Sequence, residues 1–334
     1  MMTIHWLVGG VSSLQQLRSS NLASVRLRAA CAATHLAAHG VSQSFGEDVQ
    51  GVPDVLVVCK IGANNIRARG PAWLSQIHSA RQRGTKVVID YTDHHLGHAS
   101  PMSDFYRQAM PLSDLVIVPS ELMKRYASEH FAGPILHIFD SVEYVSTAPH
   151  PIREEMPVLM WFGHPSNLEF LLNFLDRYDL CDRCHALLTV TDNAGLSWIE
   201  SHRSLFKVPR LTLVPWSIDG LRKAAFACDV ALIPAGLDDP RKSGASANRL
   251  ITALALGLPV ITHSLESYRP YREFYTDIDS DSFLDVLQNP GLEHAKVLRA
   301  QQFLVPEFSQ AVLGDRWQLV LERAAQGGDV SCEF

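Results

Sequence analysis

The sequence predicts an α/β protein with two doubly wound domains in tandem, and three observations lead to this prediction. The chain has 334 residues, more than one hydrophobic core usually organises, so two domains of about 150 residues are expected. Short apolar runs rich in β-branched residues alternate with longer helical stretches, as in βαβ units around a parallel sheet. Residues 147–157 contain three prolines and separate the two arrays as a linker. The predicted domains are therefore residues 1–150 and residues 151–334, the second with a C-terminal helical tail.

Ten short apolar runs are predicted to be the strands of these sheets. In the first half they are Ile4–Val8, Val55–Cys59, Lys86–Asp90, Leu115–Pro119 and Ile135–Ile138. In the second half they are Val158–Phe162, Ala186–Val190, Leu211–Val214, Val230–Pro234 and Pro259–Thr262. Doubly wound sheets bind ligands beyond the carboxyl ends of their strands. We therefore expect the functional residues in the loops after these strands, facing a cleft between the two halves.

Helix ends are also readable from the sequence. A helix from Ser24 through Ala38 is expected to close on Gly40, and Ser217 is a predicted cap of the helix that runs to Ala227. The segment 248–256 is apolar nearly all round and stops at a Gly-Leu-Pro turn. It is predicted to be a buried helix that leads into a buried strand.

Composition excludes several classes of protein. With 47% hydrophobic and 19% charged residues the chain is globular, and its net charge of −6 gives no excess of cations for a nucleic-acid backbone. No apolar run reaches the length of a membrane span and the N-terminus has no signal-peptide pattern, so we expect a cytoplasmic protein without a transmembrane segment. Peripheral contact with a membrane stays open. The Cys181-x-x-Cys184-His185 run matches the haem-attachment pattern, but that chemistry needs export, and reduced thiols are expected.

Two stretches of the second half carry a resemblance to a known family. Residues 230–234 form a strand, and after a polar loop residues 248–261 read Asn-Arg-Leu-Ile-Thr-Ala-Leu-Ala-Leu-Gly-Leu-Pro-Val-Ile. This pattern resembles the donor-binding half of GT-B glycosyltransferases of the "glycosyl transferases group 1" kind. Trp161-Phe162-Gly163, residues 86–93 and residues 113–120 extend the resemblance over most of the chain, to about residue 275. It implies two Rossmann-like domains that face each other across a cleft.

The polar loop before the helix at residue 248 is the predicted donor-phosphate site. A nucleotide-sugar diphosphate is stabilised by backbone N–H groups and by the positive end of a helix dipole. Lys242, Ser246 and Asn248 supply a cation, a hydroxyl and an amide at that end, and Arg249 either reaches the same phosphates or pairs on the surface. The alternative is an ordinary capped loop with a solvated lysine.

The chain departs from the family at two positions. Retaining members carry two glutamates seven residues apart, and here Gly244 and Thr252 stand at those positions. The second glutamate usually holds the ribose hydroxyls. The resemblance therefore does not imply retention of configuration. The chain holds its nucleoside differently, belongs to a divergent branch of the family, or has lost turnover.

Three further residues of the second domain are donor candidates. Trp216 stands where the family places the nucleobase and offers an aromatic face for stacking, although core packing explains a tryptophan equally well. Gly163 lets the backbone approach a phosphate and His164 can donate to it. A plain turn is the alternative for this pair.

The run from Asp90 to His98 is the densest titratable cluster of the chain and begins where a strand ends. The resemblance places this loop beside the transferred sugar and the acceptor. We expect Asp93 and His94 to be catalytic, as a base for the acceptor hydroxyl and as a sugar ligand or proton carrier. Open alternatives are a metal site, although no second Asp/His motif is visible, and a solvent-facing loop.

Four residues are predicted on the acceptor or phosphate side of the first domain. Gly10 follows the first strand and can admit a ligand to the backbone, and Lys60 follows the second. Arg26 and Arg28 lie in the first turn of a helix, where cations oppose the dipole. They are expected either to contact an anionic donor or lipid-phosphate acceptor, or to pair with Glu47 or Asp48.

These residues predict a glycosyltransferase that moves a sugar from a nucleotide-sugar donor, held by the second domain, to a glycan or glycolipid acceptor, held by the first. The resemblance implies a bacterial cell-surface polysaccharide. Catalysis is expected from orientation and from stabilisation of the leaving diphosphate, without a cofactor or an obligatory metal. A nucleotide-sugar 2-epimerase and a non-catalytic nucleotide-sugar binder of the same fold are the alternatives.

Overall fold

The protein is described here by a computed structural model that covers residues 2–149, 156–237, 244–280 and 282–328. The chain forms two compact units. Unit 1 comprises Met1–Ser141, Pro240–Ser246 and Phe308–Phe334, and unit 2 comprises Val142–Asp239 and Ala247–Glu307. Each unit contains one parallel six-stranded sheet with helices around it.

The sheet of unit 1 has the order β2-β1-β3-β4-β5-β6. Its strands are β1 (Thr3–Leu7), β2 (Ser42–Gly46), β3 (Val55–Val58), β4 (Lys86–Asp90), β5 (Leu115–Val118) and β6 (Ile135–His137). Its helices are α1 (Leu14–Arg18), α2 (Cys31–Ala38), α3 (Ile66–Gln82), α4 (Pro101–Ala109) and α5 (Glu121–Ser128). Neighbouring side chains along each strand point to opposite faces, so β1 contributes Ile4 and Trp6 to one core and Leu7 to the other.

The sheet of unit 2 has the order β12-β11-β10-β7-β8-β9. Its strands are β7 (Val158–Phe162), β8 (Ala186–Thr191), β9 (Leu211–Pro215), β10 (Val230–Ile233), β11 (Val260–Thr262) and β12 (Thr276–Asp277). Its helices are α6 (Leu168–Arg177), α7 (Asn193–Ser201), α8 (Ile218–Phe226), α9 (Asn248–Ala255), α10 (Phe283–Gln288) and α11 (His294–Phe303). This strand order is that of a dinucleotide-binding Rossmann sheet, and it reverses between β7 and β10.

The fold class and all ten predicted strands are confirmed, and two further strands were missed. Both missed strands, β2 and β12, are sheet edges. The β2 sequence Ser-Gln-Ser-Phe-Gly has one large apolar residue, and β12 has only two residues. Neither has the apolar run that marks a strand buried on both faces.

The predicted cap at Ser217 and the helix ends at Gly40 and Gly257 are confirmed, whereas the helix predicted from Ser24 begins as a π-helical segment, Val25–Ala30, that leads into α2. The Ser217 hydroxyl accepts from the Gly220 N–H at 2.9 Å and caps α8. Gly40 and Gly257 have φ of +75° and +84°. A Cβ at Gly257 would lie 2.5 Å from the Thr147 carbonyl oxygen, so both backbone conformation and space require glycine there.

A last helix, α12 (Gln310–Ala325), belongs to unit 1. Trp317 packs against Trp6 with ring centroids 6.2 Å apart. Gly314 lies so close to α2 that a Cβ there would be 2.5 Å from His35 Cγ. The sequence boundaries had placed this tail with the second domain, whereas its apolar face packs on the first sheet's helix layer.

Candidate functional site

Gly163, directly after β7, lies at the point where the strand order of unit 2 reverses. Its carbonyl accepts from the Thr191 hydroxyl at 2.8 Å and its N–H donates to the Val190 carbonyl at 3.1 Å. A Cβ at Gly163 would lie 3.4 Å from Arg249 Nη1 and 3.6 Å from Asn167 Nδ2. Because Gly163 has no side chain, nitrogen atoms of Arg249 and Asn167 lie close to the end of β7.

Unsatisfied hydrogen-bond donors are concentrated around this glycine. Arg249 Nη1 and Trp161 Nε1 are buried and have no hydrogen-bond partner among the described residues. The Trp161 ring borders Gly163, with Cζ2 3.4 Å from its Cβ position. Tyr268 forms a side-chain hydrogen bond with Arg249, which orients the guanidinium. Buried donors without partners are rare in folded proteins, and a cation among them favours an anionic ligand.

His164 was predicted as a phosphate donor, and the structure gives its Nδ1 another task. The Ser166 N–H donates to His164 Nδ1 at 3.2 Å, which caps the 3₁₀ turn Pro165–Asn167. A neutral imidazole that accepts at Nδ1 carries its hydrogen on Nε2. Donation from His164 to a ligand phosphate stays a prediction, and Nδ1 is not the atom for it.

Helix α9 begins beside this cluster. Its N-cap residue is Ala247, which offers no side-chain acceptor for the first N–H groups. Asn248 is the first helical residue and Arg249 the second, and Ser246 lies just before the helix. The helix therefore presents uncapped N–H groups at its positive end. Lys242, the predicted phosphate cation, lies outside the described residues, and its role stays a prediction.

Trp216 directly follows β9, the edge strand of the same sheet, and is half-buried. The backbone N–H of Trp216 donates to the Thr191 carbonyl at 2.8 Å. Strand β8 separates β9 from β7, which places the two strand ends about 10 Å apart. Base stacking on Trp216 stays a prediction.

The two positions at which the family carries glutamates have different surroundings. Thr252 lies in the middle of α9 and is only 8% exposed. A glutamate there would bury a carboxylate, which is costly without a partner. Gly244 is enclosed by side chains of unit 1, as described below.

In unit 1 the loop after β4 folds into a tight turn. The Leu96 N–H donates to the Tyr91 hydroxyl at 2.9 Å. The His94 ring lies directly against Gly97, where a Cβ would be 2.3 Å from His94 Nε2. Any side chain at Gly97 would displace His94, so this glycine sets the position of the imidazole.

Asp93 and Lys60, predicted in separate roles, form an ion pair through Asp93 Oδ2 and Lys60 Nζ. Their side chains are 34% and 30% exposed, so the pair is reachable from solvent. Lys60 thus occupies one carboxylate oxygen of Asp93. No local sequence pattern indicates this pair, because the two residues follow different strands.

His94 is buried and stacks on Tyr126, with ring centroids 4.2 Å apart and an interplanar angle of 21°. Its Nδ1 has no hydrogen-bond partner among the described residues. Burial lowers the pKa of His94, and nearby His130 and His98 add to this effect. The imidazole is therefore neutral at neutral pH and can accept a proton, as a general base requires.

Polar atoms without partners are frequent around this loop. Within the described chain, the buried ones in residues 92–103 are Thr92 Oγ1, His94 Nδ1, His95 Nε2, His98 Nδ1 and Ser103 Oγ. Such atoms mark a place for water or for a hydroxyl-rich ligand. No group of three or more His, Cys, Asp or Glu residues in the described ranges is placed to hold a metal ion.

The lowered pKa of His95 predicts a measurable pH dependence of the free energy of unfolding. Burial, the largest effect, lowers its pKa from 6.5 to about 4, and Asp93 opposes this only in part. Because the folded state binds this proton less well than the unfolded state, stability is complete above pH 6.5 and is lost as the pH falls toward 4. Between pH 7 and pH 4 wild type should lose about 3 kcal/mol more than His95→Gln in urea unfolding.

The control for this measurement is His39→Gln, which changes an exposed histidine of the same unit. It measures what a histidine-to-glutamine exchange on the surface does by itself to urea unfolding. Parallel profiles for wild type and His95→Gln would contradict the lowered pKa.

Arg28 is fully buried and bridges two carboxylates. Its Nε lies 2.8 Å from Asp90 Oδ1 and its Nη1 lies 3.0 Å from Asp140 Oδ1. Nη1 also donates to the Ile138 carbonyl at 2.6 Å. The predicted pairing with Glu47 or Asp48 is therefore wrong, and a guanidinium enclosed in this way does not face a ligand. The anionic groups that Arg28 binds are two carboxylates of the protein itself, those of Asp90 and Asp140.

Two other acceptor-side candidates are also engaged. Arg26 is 7% exposed, and its Nη1 donates to the Ser20 carbonyl at 2.8 Å. The Gly10 N–H donates to Glu47 Oε1 at 3.3 Å, and φ of Gly10 is +70°. Arg69, which the sequence analysis missed, is the ion-pair partner of Glu47 at 2.9 Å. Contact of Arg26 or Gly10 with a ligand stays a prediction.

Solved structures resemble the whole chain, although no protein-family model and no curated protein sequence matches it. HepE (Alr3699) of Anabaena, solved with UDP-glucose, has a TM-score of 0.63 at 12% identity over 96% of this chain and 100% of that one. WaaG, a glycosyltransferase involved in lipopolysaccharide biosynthesis, has a TM-score of 0.57 at 13% identity over 95% and 99% of the two chains. TarM has a TM-score of 0.58 at 11% identity over 80% of this chain.

The chain spans 55% of the length of TarM. At these identities the likeness concerns the fold, and the fold is that of the GT-B glycosyltransferases, two Rossmann-like domains. None of the helices that the structure describes is both long and apolar enough to span a membrane.

Proposed function

We propose that the protein is a GT-B glycosyltransferase that moves a sugar from a nucleotide-sugar donor to a glycan or glycolipid acceptor. In this proposal unit 2 binds the donor and unit 1 supplies the acceptor-side groups. A cytoplasmic location and a role in bacterial cell-surface polysaccharide assembly are part of the same proposal.

The observation that carries the proposal is the set of donors around Gly163. Arg249 Nη1 and Trp161 Nε1 are buried without partners, and Asn167 Nδ2 lies beside them. They lie at the reversal of strand order, where Rossmann sheets bind their ligands. The uncapped start of α9 adds backbone N–H groups and a helix dipole. An anionic diphosphate would accept from Arg249 Nη1, from Trp161 Nε1 and from backbone N–H groups at the start of α9.

The structural relatives support the chemistry of this ligand. HepE was solved with UDP-glucose, which is a sugar on a nucleoside diphosphate. WaaG is a glycosyltransferase of lipopolysaccharide biosynthesis, which agrees with a cell-surface glycan as product. The proposal names no base, sugar or linkage, because the residues around Gly163 are proposed to contact only the diphosphate of the donor.

The proposed reaction uses orientation and electrostatics. Arg249 and the start of α9 stabilise the negative charge that develops on the leaving diphosphate. His94 takes the proton of the acceptor hydroxyl, and Asp93 with Lys60 orients the hydroxyls of the sugar or acceptor. No metal ion or other cofactor is part of the proposal.

The proposal predicts that Arg249→Met weakens donor binding by roughly 10- to 150-fold, the range of about 1.5–3 kcal/mol for a hydrogen bond to a charged group. A calorimetric titration with UDP-, GDP-, CMP-, ADP- and dTDP-sugars first identifies the donor. Arg210→Met is the matched control, since this exposed arginine precedes β9 at the opposite, amino edge of the sheet. Equal affinities of Arg249→Met and wild type would refute the donor site.

Turnover of the identified donor then tests the reaction class. It is measured with and without excess EDTA. Release of free nucleotide that requires an acceptor supports glycosyl transfer. Release or sugar conversion without an acceptor would identify an epimerase-like enzyme. Donor binding without turnover over a broad acceptor panel would identify a non-catalytic binder.

A further inference from the structure

Position 244 has little room for a side chain. A Cβ at Gly244 would lie 2.9 Å from Met123 Sδ, 3.0 Å from Met123 Cγ and 3.4 Å from Tyr126 Cε2. Separations below 3.0 Å force a neighbour to move. An added side chain would therefore have to displace the Met123 side chain of α5 and would lie in tight contact with Tyr126.

The backbone at this position is also held by a hydrogen bond. The Ser120 hydroxyl donates to the Gly244 carbonyl at 2.8 Å. The Ser120 hydroxyl oxygen also accepts from the Met123 N–H at 3.2 Å and thereby caps α5. Ser120 is buried, so water does not compete for this bond. One hydroxyl thus fixes both the start of α5 and the chain at Gly244.

Tyr126 connects this contact to the predicted acid–base residue. One face of its ring stacks on His94, with centroids 4.2 Å apart. Its Cε2 edge borders Gly244. The N-cap and two residues of α5 form one surface, which we call the α5 platform. It consists of Ser120, Met123 and Tyr126. The platform contacts both the imidazole and the segment that follows Lys242 in the sequence.

We propose that the α5 platform is the positioning element of the transfer site: it fixes the His94 ring and the Gly244 backbone in one arrangement. The inference rests on the proposed function, because it concerns the arrangement in which that reaction takes place. Its residues are positioning residues, since they act through His94 and through the backbone of residue 244. It also accounts for the glycine where the family carries a glutamate, because Met123 and Tyr126 fill the space of that side chain.

The first test is independent of activity and uses hydrogen exchange in the full-length protein. Ser120→Ala should speed amide exchange in residues 244–248 at least tenfold, and Tyr126→Leu should do so in both 244–248 and 94–98. Ser309→Ala is the matched control, because Ser309 caps α12 in the same unit through its hydroxyl. Unchanged exchange in Ser120→Ala and Tyr126→Leu would overturn the inference, whether or not the protein transfers sugar.

The second test uses turnover and a compensating change. Gly244→Ala should lower kcat at least tenfold while KM stays within threefold, because the backbone shifts without loss of a donor ligand. Adding Met123→Ala removes the atoms nearest to the new Cβ and should restore kcat at least threefold. Ser120→Thr keeps the hydroxyl and should retain more turnover than Ser120→Ala.

The outcomes separate the inference from the proposed function. Full turnover in Gly244→Ala, or failure of Met123→Ala to restore any of a loss, would overturn the positioning role. Absence of transfer by wild type with every donor would refute the proposed function, while the exchange experiment would still decide whether the platform holds both segments.

Discussion

Replacement of Arg28 by methionine should lower the free energy of unfolding by about 3–5 kcal/mol at pH 7, the cost typical of removing one partner from a buried ion pair. The variant leaves Asp90 and Asp140 without their shared cation in an interior where both are less than 10% exposed. Methionine keeps an unbranched apolar side chain but removes the guanidinium carbon that lies 5.5 Å from the centroid of the Trp317 ring. The loss therefore reports the charge and its hydrogen bonds more than the packing. Urea unfolding followed by circular dichroism measures it.

The pH dependence of this loss identifies its cause. Burial raises the pKa of Asp90 even with Arg28 present, and Arg28 opposes this only in part. Without the guanidinium the pKa of Asp90 must rise further above that of the unfolded chain, so the cost is complete at neutral pH and shrinks as the pH falls and the carboxyl binds a proton. The difference between wild type and Arg28→Met should therefore be smaller at pH 5 than at pH 7.

Arg67→Met provides the control, because Arg67 is exposed on α3 of the same unit. Surface substitutions of this kind usually change stability by less than about 0.5 kcal/mol. A loss below about 1.5 kcal/mol in Arg28→Met, or one that grows at pH 5, would contradict the assignment of Arg28 to a buried charge bridge.

Replacement of His94 by alanine should lower turnover of the donor identified above by about 10²–10⁴, the range for a lost general acid–base group. Lys60 occupies a carboxylate oxygen of Asp93, whereas His94 Nδ1 has no hydrogen-bond partner among the described residues. His94 is thus better placed than Asp93 to exchange a proton. Nucleotide affinity should stay within about threefold, because the donor phosphates are assigned to unit 2.

Two companion variants sharpen the His94 experiment. Asp93→Asn should also lower turnover, with little change in melting temperature, because its ion pair is one-third exposed and contributes little stability. His130→Ala changes an exposed histidine whose ring lies 6.5 Å from that of His94, and should retain turnover. Turnover at the wild-type rate in His94→Ala would remove this loop from the proposed mechanism.

Local sequence patterns were sufficient for the elements and for several loops that carry the candidate site. The ten apolar runs are strands because β-branched residues buried on both faces of a parallel sheet leave an uninterrupted signal. Ser217, Gly40 and Gly257 mark helix ends because capping chemistry acts within one turn. The loops after β4 and β7 follow from these strand ends, which is why the sequence led to His94 and Gly163.

The tertiary structure alone decided which residues meet. The partners of Arg28, Asp90 and Asp140, lie 62 and 112 positions away, and no local pattern encodes them. In the same way, nothing near Gly244 in the sequence indicates that Ser120 holds its carbonyl, 124 positions away. Hydrophobic periodicity records which face of an element is buried but not against what, so α12 and the edge strands β2 and β12 also needed the fold to place them. The sequence by itself determined the two Rossmann-like sheets and the loops at their ends, and long-range packing decided which side chains and backbone groups pair with one another.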